Sequence, residues 1–328
     1  MDERILCYNS SPMALRRIKL YFIAAIAVLA TAITAYAASC PTELLHGFAT
    51  SLENVYKEKQ VIADDELKKI LGGDLTQIEF HVRSKKAPSI YSKLERKVTT
   101  GNIETLTEKQ AHDMIRDGIG LRLVLKEPTQ SSDKSIKELT GSIIGKLIPR
   151  IENGSIQVTK YHNYHGPSAE PYLDTRQFSE LLQAISKAPK SIDLSVKRGS
   201  AYKESGYTGF HLNIILPSGI PAELQIRGEI VDHLAEIEHL YYDNRRQKEM
   251  PNSTDIEFKK FISALEDLTA RQREDLNGYL ANWYAYARQL ELENQSFSST
   301  QSSPPRLPDD LNPVLSIENA AAIQHLKL

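Results

Sequence analysis

The chain has 328 residues, of which 41% are hydrophobic and 25% are charged, and its 40 basic and 42 acidic side chains give a formal net charge of -2. This composition is typical of a soluble globular protein and excludes a wholly disordered, collagen-like or polytopic membrane chain. The charge balance gives no indication of nucleic-acid binding, so any anion site must be local. Only two cysteines occur, Cys7 and Cys40, which excludes a disulfide framework and a thiolate zinc site.

The N-terminal segment has the pattern of an export signal. The basic residues Arg16, Arg17 and Lys19 precede an uncharged apolar run at 20–40. Small residues around Ala37 predict a signal peptide over 1–37; an uncleaved membrane anchor is the alternative, because about 20 apolar residues span a bilayer. Both place the rest of the chain outside the cytoplasm, as a periplasmic, secreted or anchored protein whose membrane contact is confined to this segment.

Helices and strands are intermixed along the remaining sequence. The apolar spacing predicts two helices within 41–73 and further helices at 88–97, 106–116, 132–151, 176–187, 229–244 and within 254–292. It predicts strands at 78–83, 119–125, 192–197, 208–216 and 221–227. This order predicts an α/β (α+β) fold with a mixed β-sheet flanked by helices.

The predicted elements and the local composition divide the chain into parts. We expect N-terminal helices at 41–73, a mixed domain at 74–245 and a C-terminal helical extension at 246–293. Residues 294–328 begin with a stretch rich in Ser and Pro and are predicted to form a disordered tail. His162 and His165 lie in a stretch without clear periodicity, where an exposed loop is expected and a metal site is the alternative.

Residues 222–227 form the sharpest local pattern. Strand alternation places the apolar residues on one face and Glu223, Gln225 and Arg227 on the other. If that face is covered, this row of acid, amide and guanidinium can hold a metal ion and phosphate; if it faces water, it is an ordinary solvated strand. These residues alone leave both interpretations open.

A glycine-bearing turn at 203–209 leads into the preceding strand, in which His211 lies on the face opposite the apolar row. The turn is either an aromatic plug or the rim of a pocket. In the second interpretation Tyr207 stacks on a base and Lys203 contacts phosphate.

Basic residues also run from a strand end into a helix at 83–93. Arg83 and Lys85 precede the helix, and Ser89 and Lys93 lie one turn apart on it. Such a charge run is usually a solvated face, and a phosphate site is the alternative.

Asp117 and Arg122 flank Gly120 at the start of the next strand. Their spacing would place them on opposite faces of a regular strand. Asp117 must therefore precede the strand, or a glycine bulge must turn it.

Taken in order, these four blocks resemble the synthetase domain of the RelA/SpoT family, the enzymes that make ppGpp and pppGpp. The blocks are R-x-K-x-x-x-S-I-x-x-K at 83–93, D-x-x-G-x-R at 117–122, K-x-x-G-Y-x-x-x-H at 203–211 and E-x-Q-x-R at 223–227. A following D-x-x-A-x-x-E-H helix at 232–239 resembles that of the small alarmone synthetases. The resemblance implies a nucleotidyltransferase-like, stand-alone synthetase without a hydrolase domain or a long regulatory region.

The resemblance also implies a reaction and its residues: transfer of the β,γ-pyrophosphate of ATP to the 3′-hydroxyl of GDP or GTP, with Mg²⁺ as cofactor. Asp117 and Glu223 are the expected metal ligands, and Glu223 is also expected to take the hydroxyl proton. The expected ATP-binding residues are Arg83, Lys85, Ser89, Lys93 and Arg122. The expected acceptor-binding residues are Lys203, Tyr207, His211, Gln225 and Arg227.

Departures from the family pattern surround the acceptor and leave alternatives open. Ser205, Gly209 and Gly228 replace the usual Asn, Ser and Thr, and His233-Leu234 replaces Phe-Trp. The alternatives are an adenine nucleotide acceptor giving ppApp, tRNA as acceptor, or a non-catalytic nucleotide-binding module. DNA is not an expected partner, and a homo-oligomer is an alternative to a monomer. Export of such an enzyme would make it an effector that acts after delivery to another cell.

Overall fold

The computed structural model describes residues 42–73, 75–101, 105–128, 133–166, 171–189, 197–198, 203, 205–243, 256–293 and 303–323. The expected signal peptide or anchor over 1–37 and both cysteines lie outside these ranges. Within them, none of the helices combines the length and the apolar character needed to cross a membrane.

The chain divides into two compact units. One comprises the described residues of Met1–Leu52 and Lys86–Ile115, and the other those of Glu53–Lys85 and Arg116–Leu328. The domain expected at 74–245 therefore contributes to both units.

The first helix, α1, spans Thr42–Leu71 without a break, whereas the sequence predicts two helices here. It ends where Gly72 and Gly73 adopt φ values of 44° and 76°, which favour glycine and terminate a helix. The following helices are α2 at Ala87–Gly101, α3 at Glu108–Met114, α4 at Ile136–Glu152, α5 at Thr175–Lys187, α6 at Glu229–Asp243, α7 at Ile256–Glu266, α8 at Ala270–Glu293 and α9 at Ile317–Ile323.

Three of these helices begin at a reciprocal capping box. In each, the cap side chain accepts a hydrogen bond from the backbone N–H three residues on, and that residue's side chain accepts from the cap N–H. The pairs are Thr107 and Gln110 for α3, Ser135 and Glu138 for α4, and Asp174 and Gln177 for α5.

The strands form one mixed sheet in the order β1-β2-β6-β5-β3-β4. They are β1 at Ile78–Ser84, β2 at Ile119–Leu125, β3 at Gln157–Tyr164, β4 at Lys197–Arg198, β5 at Gly209–Ile215 and β6 at Pro221–Gly228. The β2–β6 and β3–β4 pairs are parallel and the others antiparallel. Helix α4 packs against β2 and α5, and α6 packs against β2, β6 and α8, which confirms the predicted mixed sheet flanked by helices.

The prediction of an exposed loop around His162 is wrong, because this stretch is strand β3, which pairs antiparallel with β5. His162 is only 7% exposed and its ring stacks on Tyr164 at a centroid distance of 4.6 Å. Polar and aromatic residues occupy both faces of β3, so the sequence there lacks the apolar alternation that identifies a half-buried strand.

The prediction of a disordered tail is wrong for residues 303–323. This segment contains a 3₁₀ turn and helix α9, and it buries Leu311, Leu315 and Ile317 in an apolar cluster shared with α6, α7 and α8. The Tyr241 hydroxyl donates to the Leu315 carbonyl at 2.8 Å, and the Ile317 N–H donates to the Tyr279 hydroxyl at 3.1 Å. Burial of these apolar side chains stabilises the folded conformation of this segment, although the sequence before it is rich in Ser and Pro.

Candidate active site

One face of the sheet carries two adjoining rows of mainly polar residues. Residues paired directly across strands project their side chains to the same side. The first row, from β1 to β3, is His81, Arg122, Gln225, His211 and His162, and the second is Arg83, Gly120, Glu223, Asn213 and Lys160. The predicted alternation of 222–227 is confirmed, and this face is partly covered, because Arg227 is 2% exposed whereas Glu223 and Gln225 are half-buried.

A cleft of about 460 Å³ opens on this face between β1, β2, β6 and α6. Arg83 and Arg122 line it, together with His81 and Gln225. The Arg83 side chain lies over Gly120, since a Cβ there would meet its Cγ at 3.4 Å and its Nε at 3.6 Å. The first predicted ATP-binding residue thus lies across the neighbouring strand, in ordinary van der Waals range of the glycine of D-x-x-G-x-R.

Asp117 lies in the turn immediately before β2, one of the two placements that the sequence allows. Lys85 donates to its Oδ2 at 2.8 Å, and the Lys85 N–H donates to the Gly118 carbonyl at 2.8 Å. Gly118 is required here, because a Cβ would lie 2.2 Å from the ring of Tyr56. The close packing of this turn fixes the Asp117 carboxylate beside a cation.

Glu223 occupies β6 directly opposite Gly120 of β2. Its Oε2 accepts from Gln225 Nε2 at 3.0 Å, and its Oε1 lies 3.2 Å from His211 Nδ1. Burial raises the pKa of Glu223, but the hydrogen bonds from His211 and Gln225, and the charge that His211 carries when it is protonated at acid pH, outweigh it and bring the pKa to about 2, against the opposing charge of Asp117. Glu223 is therefore ionised at neutral pH. Its negative charge is near enough to the Asp117 carboxylate for the two charges to interact.

These two carboxylates fit the expected Mg²⁺. Among the described residues, no cluster of three or more His, Cys, Asp and Glu side chains is arranged to hold a metal ion by itself. Mg²⁺ commonly uses one or two carboxylates and takes its remaining oxygens from water and substrate phosphates. Asp117 and Glu223 offer such a pair of carboxylates.

Of the two interpretations of the turn at 203–209, the structure favours the aromatic plug over a residue at the rim of a pocket. Tyr207 is 9% exposed, and its ring makes edge-to-face contacts with Tyr164 at 5.6 Å and Tyr284 at 5.7 Å. Its hydroxyl lies 2.7 Å from His211 Nε2. The sequence missed this position because Tyr284 belongs to α8, far along the chain. A contact between Tyr207 and an acceptor base stays a prediction.

Two acidic residues of α6, Asp232 and Glu236, join the predicted basic residues, although the D-x-x-A-x-x-E-H motif that begins at Asp232 gave neither of them a role. Asp232 Oδ1 lies 2.8 Å from Arg227 Nε and 3.1 Å from Arg122 Nη1, and Glu236 also pairs with Arg122. Arg227 donates in turn to Gln225 Oε1 at 3.2 Å. The signal that identifies this acidic pair is its i, i+4 spacing, which places both carboxylates on one face of α6.

Lys203, Ser89 and Lys93 complete the set of predicted site residues. Lys203 is exposed, and its Nζ lies 4.8 Å from the ring centroid of Tyr164. Ser89 is exposed and Lys93 half-buried, one turn apart on α2 in the other compact unit. Within the unit that holds the sheet, the structure brings together Lys85 with Asp117, and Tyr207, His211, Gln225 and Arg227 around Glu223.

Comparison with known proteins places this site in a family. The model of the family described as "Region found in RelA / SpoT proteins" matches residues 82–247, half of the chain's 328 residues. The chain therefore belongs to the RelA/SpoT family, as its four sequence blocks predict. A search of curated protein sequences finds no match.

Similar solved structures include small alarmone synthetase 1 from Bacillus subtilis, with 19% identity and a TM-score of 0.40 over 73% of this chain and 89% of that chain. A structure of the same synthetase bound to its product pppGpp has 19% identity and a TM-score of 0.33, over 67% of this chain and 91% of that chain. A GTP pyrophosphokinase family protein from Streptococcus pneumoniae has 17% identity and a TM-score of 0.33, over 76% and 89%.

Proposed function

We propose that the protein transfers the β,γ-pyrophosphate of ATP to the 3′-hydroxyl of GDP or GTP and so makes (p)ppGpp. The observation that carries this proposal is the environment of Glu223, an ionised carboxylate held by two side-chain hydrogen bonds near Asp117. A carboxylate fixed in this way suits the orientation of a hydroxyl nucleophile and the binding of a phosphate-borne cation.

ATP is proposed to bind in the cleft on the polar face of the sheet. Arg83 is exposed there and can stack on adenine, while Lys85 and Arg122 supply positive charge for the phosphates. Ser89 and Lys93 of α2 stay predicted ATP-binding residues on the family resemblance. Bound Mg²⁺, held by Asp117 and Glu223, would withdraw electrons from the phosphate under attack.

The acceptor is proposed to bind beside Glu223, with Lys203 on its phosphates. The 3′-oxygen attacks the β-phosphorus of ATP, the bond from that phosphorus to the α,β-bridging oxygen breaks, and AMP leaves with that oxygen. A carboxylate with a pKa of about 2 is a weak base. Glu223 therefore accepts a hydrogen bond from the 3′-hydroxyl first and takes its proton only as the new P–O bond forms.

Two more of the predicted acceptor-binding residues, Gln225 and Arg227, form a hydrogen-bonded row that ends at Glu223. Gln225 donates to Glu223 and accepts from Arg227, which is itself buried and paired with Asp232. We propose that Gln225 and Arg227 act on the acceptor by holding the Glu223 carboxylate in place.

The test is transfer of label from γ-labelled ATP in the presence of Mg²⁺ and, in turn, GDP, GTP, ADP, ATP and bulk tRNA. We expect labelled product with GDP or GTP, and loss of transfer in Glu223→Gln, which keeps the size of the side chain but not its charge. Label on an adenine nucleotide or on tRNA would reassign the acceptor. Absence of transfer to every acceptor by the folded protein would favour a nucleotide-binding module and contradict the proposal.

Export remains a separate proposal, supported by the basic flank and apolar run before Ala37. Cell fractionation and the mass of the mature N-terminus test it. Recovery outside the cytoplasm, cleaved after Ala37 or anchored intact, is expected, and an intact chain in the cytoplasm would contradict it.

A further inference from the structure

Tyr207, His211 and Glu223 form a chain of hydrogen bonds that ends at the proposed catalytic carboxylate. The Tyr207 hydroxyl lies 2.7 Å from His211 Nε2, and His211 Nδ1 lies 3.2 Å from Glu223 Oε1. Glu223 continues to Gln225 through its second oxygen. Each carboxylate oxygen thus has one side-chain partner.

A neutral His211 ring allows one arrangement of protons in this chain. An ionised carboxylate only accepts hydrogen bonds, so His211 must carry its proton on Nδ1 to donate to Glu223. Nε2 of the neutral ring is then an acceptor. Tyr207 must be the donor to Nε2, and burial helps by raising its pKa to about 12.

The surroundings of Tyr207 hold its hydroxyl in this direction. The ring lies between Tyr164 and Tyr284, and the Arg227 guanidinium lies 5.8 Å from its centroid. The preceding Gly206 has a φ of 80°, and a Cβ there would lie 2.4 Å from the Cα of Ala281 on α8. The backbone before Tyr207 is therefore packed directly against a helix, and the ring is buried.

We infer that Tyr207 is a positioning residue, whose hydroxyl fixes the His211 ring so that its Nδ1–H orients the Glu223 carboxylate. This inference rests on the proposed function, because it assigns to Glu223 the task of orienting the acceptor hydroxyl. It differs from the stacking role implied by the family resemblance, since it depends on the hydroxyl of Tyr207 and not on its ring.

Tyr207→Phe separates the two roles, because it removes the hydroxyl and keeps the aromatic ring. We expect kcat to fall about fivefold, the effect of one neutral hydrogen bond, with the KM for the acceptor changed less than twofold. The matched control is Tyr284→Phe, which removes a hydroxyl from the same cluster that donates to Glu238 instead. We expect its kcat to remain within twofold of that of the wild type. Full kcat in Tyr207→Phe, an effect confined to KM, or an equal loss in the control would overturn the inference.

A double-mutant cycle tests whether Tyr207 acts through His211. His211→Asn retains a donor for Glu223 but removes the acceptor for Tyr207. In that background Tyr207→Phe should change kcat by less than twofold, because the link is already broken. A full fivefold further loss would overturn the inference.

A spectroscopic readout makes failure of the inference distinguishable from failure of the proposed function. In the full wild-type chain labelled with ¹⁵N-histidine, His211 is identified by its missing signals in His211→Asn. We expect a neutral ring with the proton on Nδ1 and a hydrogen-bonded Nε2, and a shift of the Nε2 signal in Tyr207→Phe. A proton on Nε2 in the wild type would overturn the hydrogen-bond chain, whether or not the protein transfers pyrophosphate. If Tyr207→Phe fails to fold, the wild-type spectrum alone decides.

Discussion

Asp232 is the residue whose replacement tests the ion-pair network most sharply. Its carboxylate lies 2.8 Å from Arg227 Nε and 3.1 Å from Arg122 Nη1, and the side chains of Asp232, Arg122 and Arg227 are 9%, 11% and 3% exposed. Removal of one partner from a buried ion pair costs about 3–5 kcal/mol, because the remaining charge stays buried. Arg122 retains Glu236, so we expect Asp232→Ala to lose about 3 kcal/mol, near the lower end of that range.

The assay is thermal unfolding followed by circular dichroism, in which a loss of this size lowers the Tm by about 5 °C for a chain of this length. Glu236→Ala is the matched control. The Glu236 side chain is 36% exposed, so its pair with Arg122 is worth about 1 kcal/mol or less and the Tm should fall by about 2 °C at most. A Tm within 1 °C of the wild type for Asp232→Ala, or equal losses in both variants, would refute the reasoning.

Three further predictions address the site, the packing of its turn and the C-terminal segment. The pKa of Glu223 falls from 4.5 to about 2 on folding, so its contribution of about 3 kcal/mol is complete above pH 4.5 and is lost as the pH falls toward 2. In urea titrations across this range, Glu223→Gln should lack that part of the acid loss, and an unchanged pH dependence would contradict it. Gly206→Ala should cost more than 2 kcal/mol through its clash with α8, whereas Gly219→Ala, at the same φ of 80° but in open space, should cost about 1 kcal/mol. Equal urea midpoints for the two variants would speak against that packing. Leu315→Ala should cost about 2–4 kcal/mol because Leu315 is fully buried, and the exposed Leu292→Ala less than about 1 kcal/mol. A wild-type Tm for Leu315→Ala would mean that this segment is not part of the core.

Elements with a single periodicity are predictable from the sequence. Strand β6 and the start of β2 lie where the alternation places them, and Asp117 precedes its strand as its spacing requires. A period of two residues leaves one choice of face, so Glu223 and Gln225 were assigned correctly to the polar side. Strand β3 was missed because its apolar and polar residues do not alternate.

Features that depend on distant segments were not predictable. Arg122 pairs with Glu236, a partner 114 residues further along the chain, and Tyr207 is covered by Tyr284 of α8. Tyr284 has no local signal that ties it to the site, and the i, i+4 spacing of Asp232 and Glu236 indicates a shared helix face but not the partner of that face. The sequence thus predicts which residues carry the chemistry, whereas packing determines that Tyr207 lies against His211.

Transfer of an intact pyrophosphate group is the central claim, and the most direct measurement follows β-labelled ATP and AMP together. The chain is incubated with β-labelled ATP, Mg²⁺ and GDP, and product and AMP are quantified over time. We expect the β-label to move to the acceptor with one AMP released per labelled product, and both to be abolished in Glu223→Gln. Label that remains in ADP, or AMP released without labelled product, would mean phosphoryl transfer or hydrolysis and would contradict the assignment.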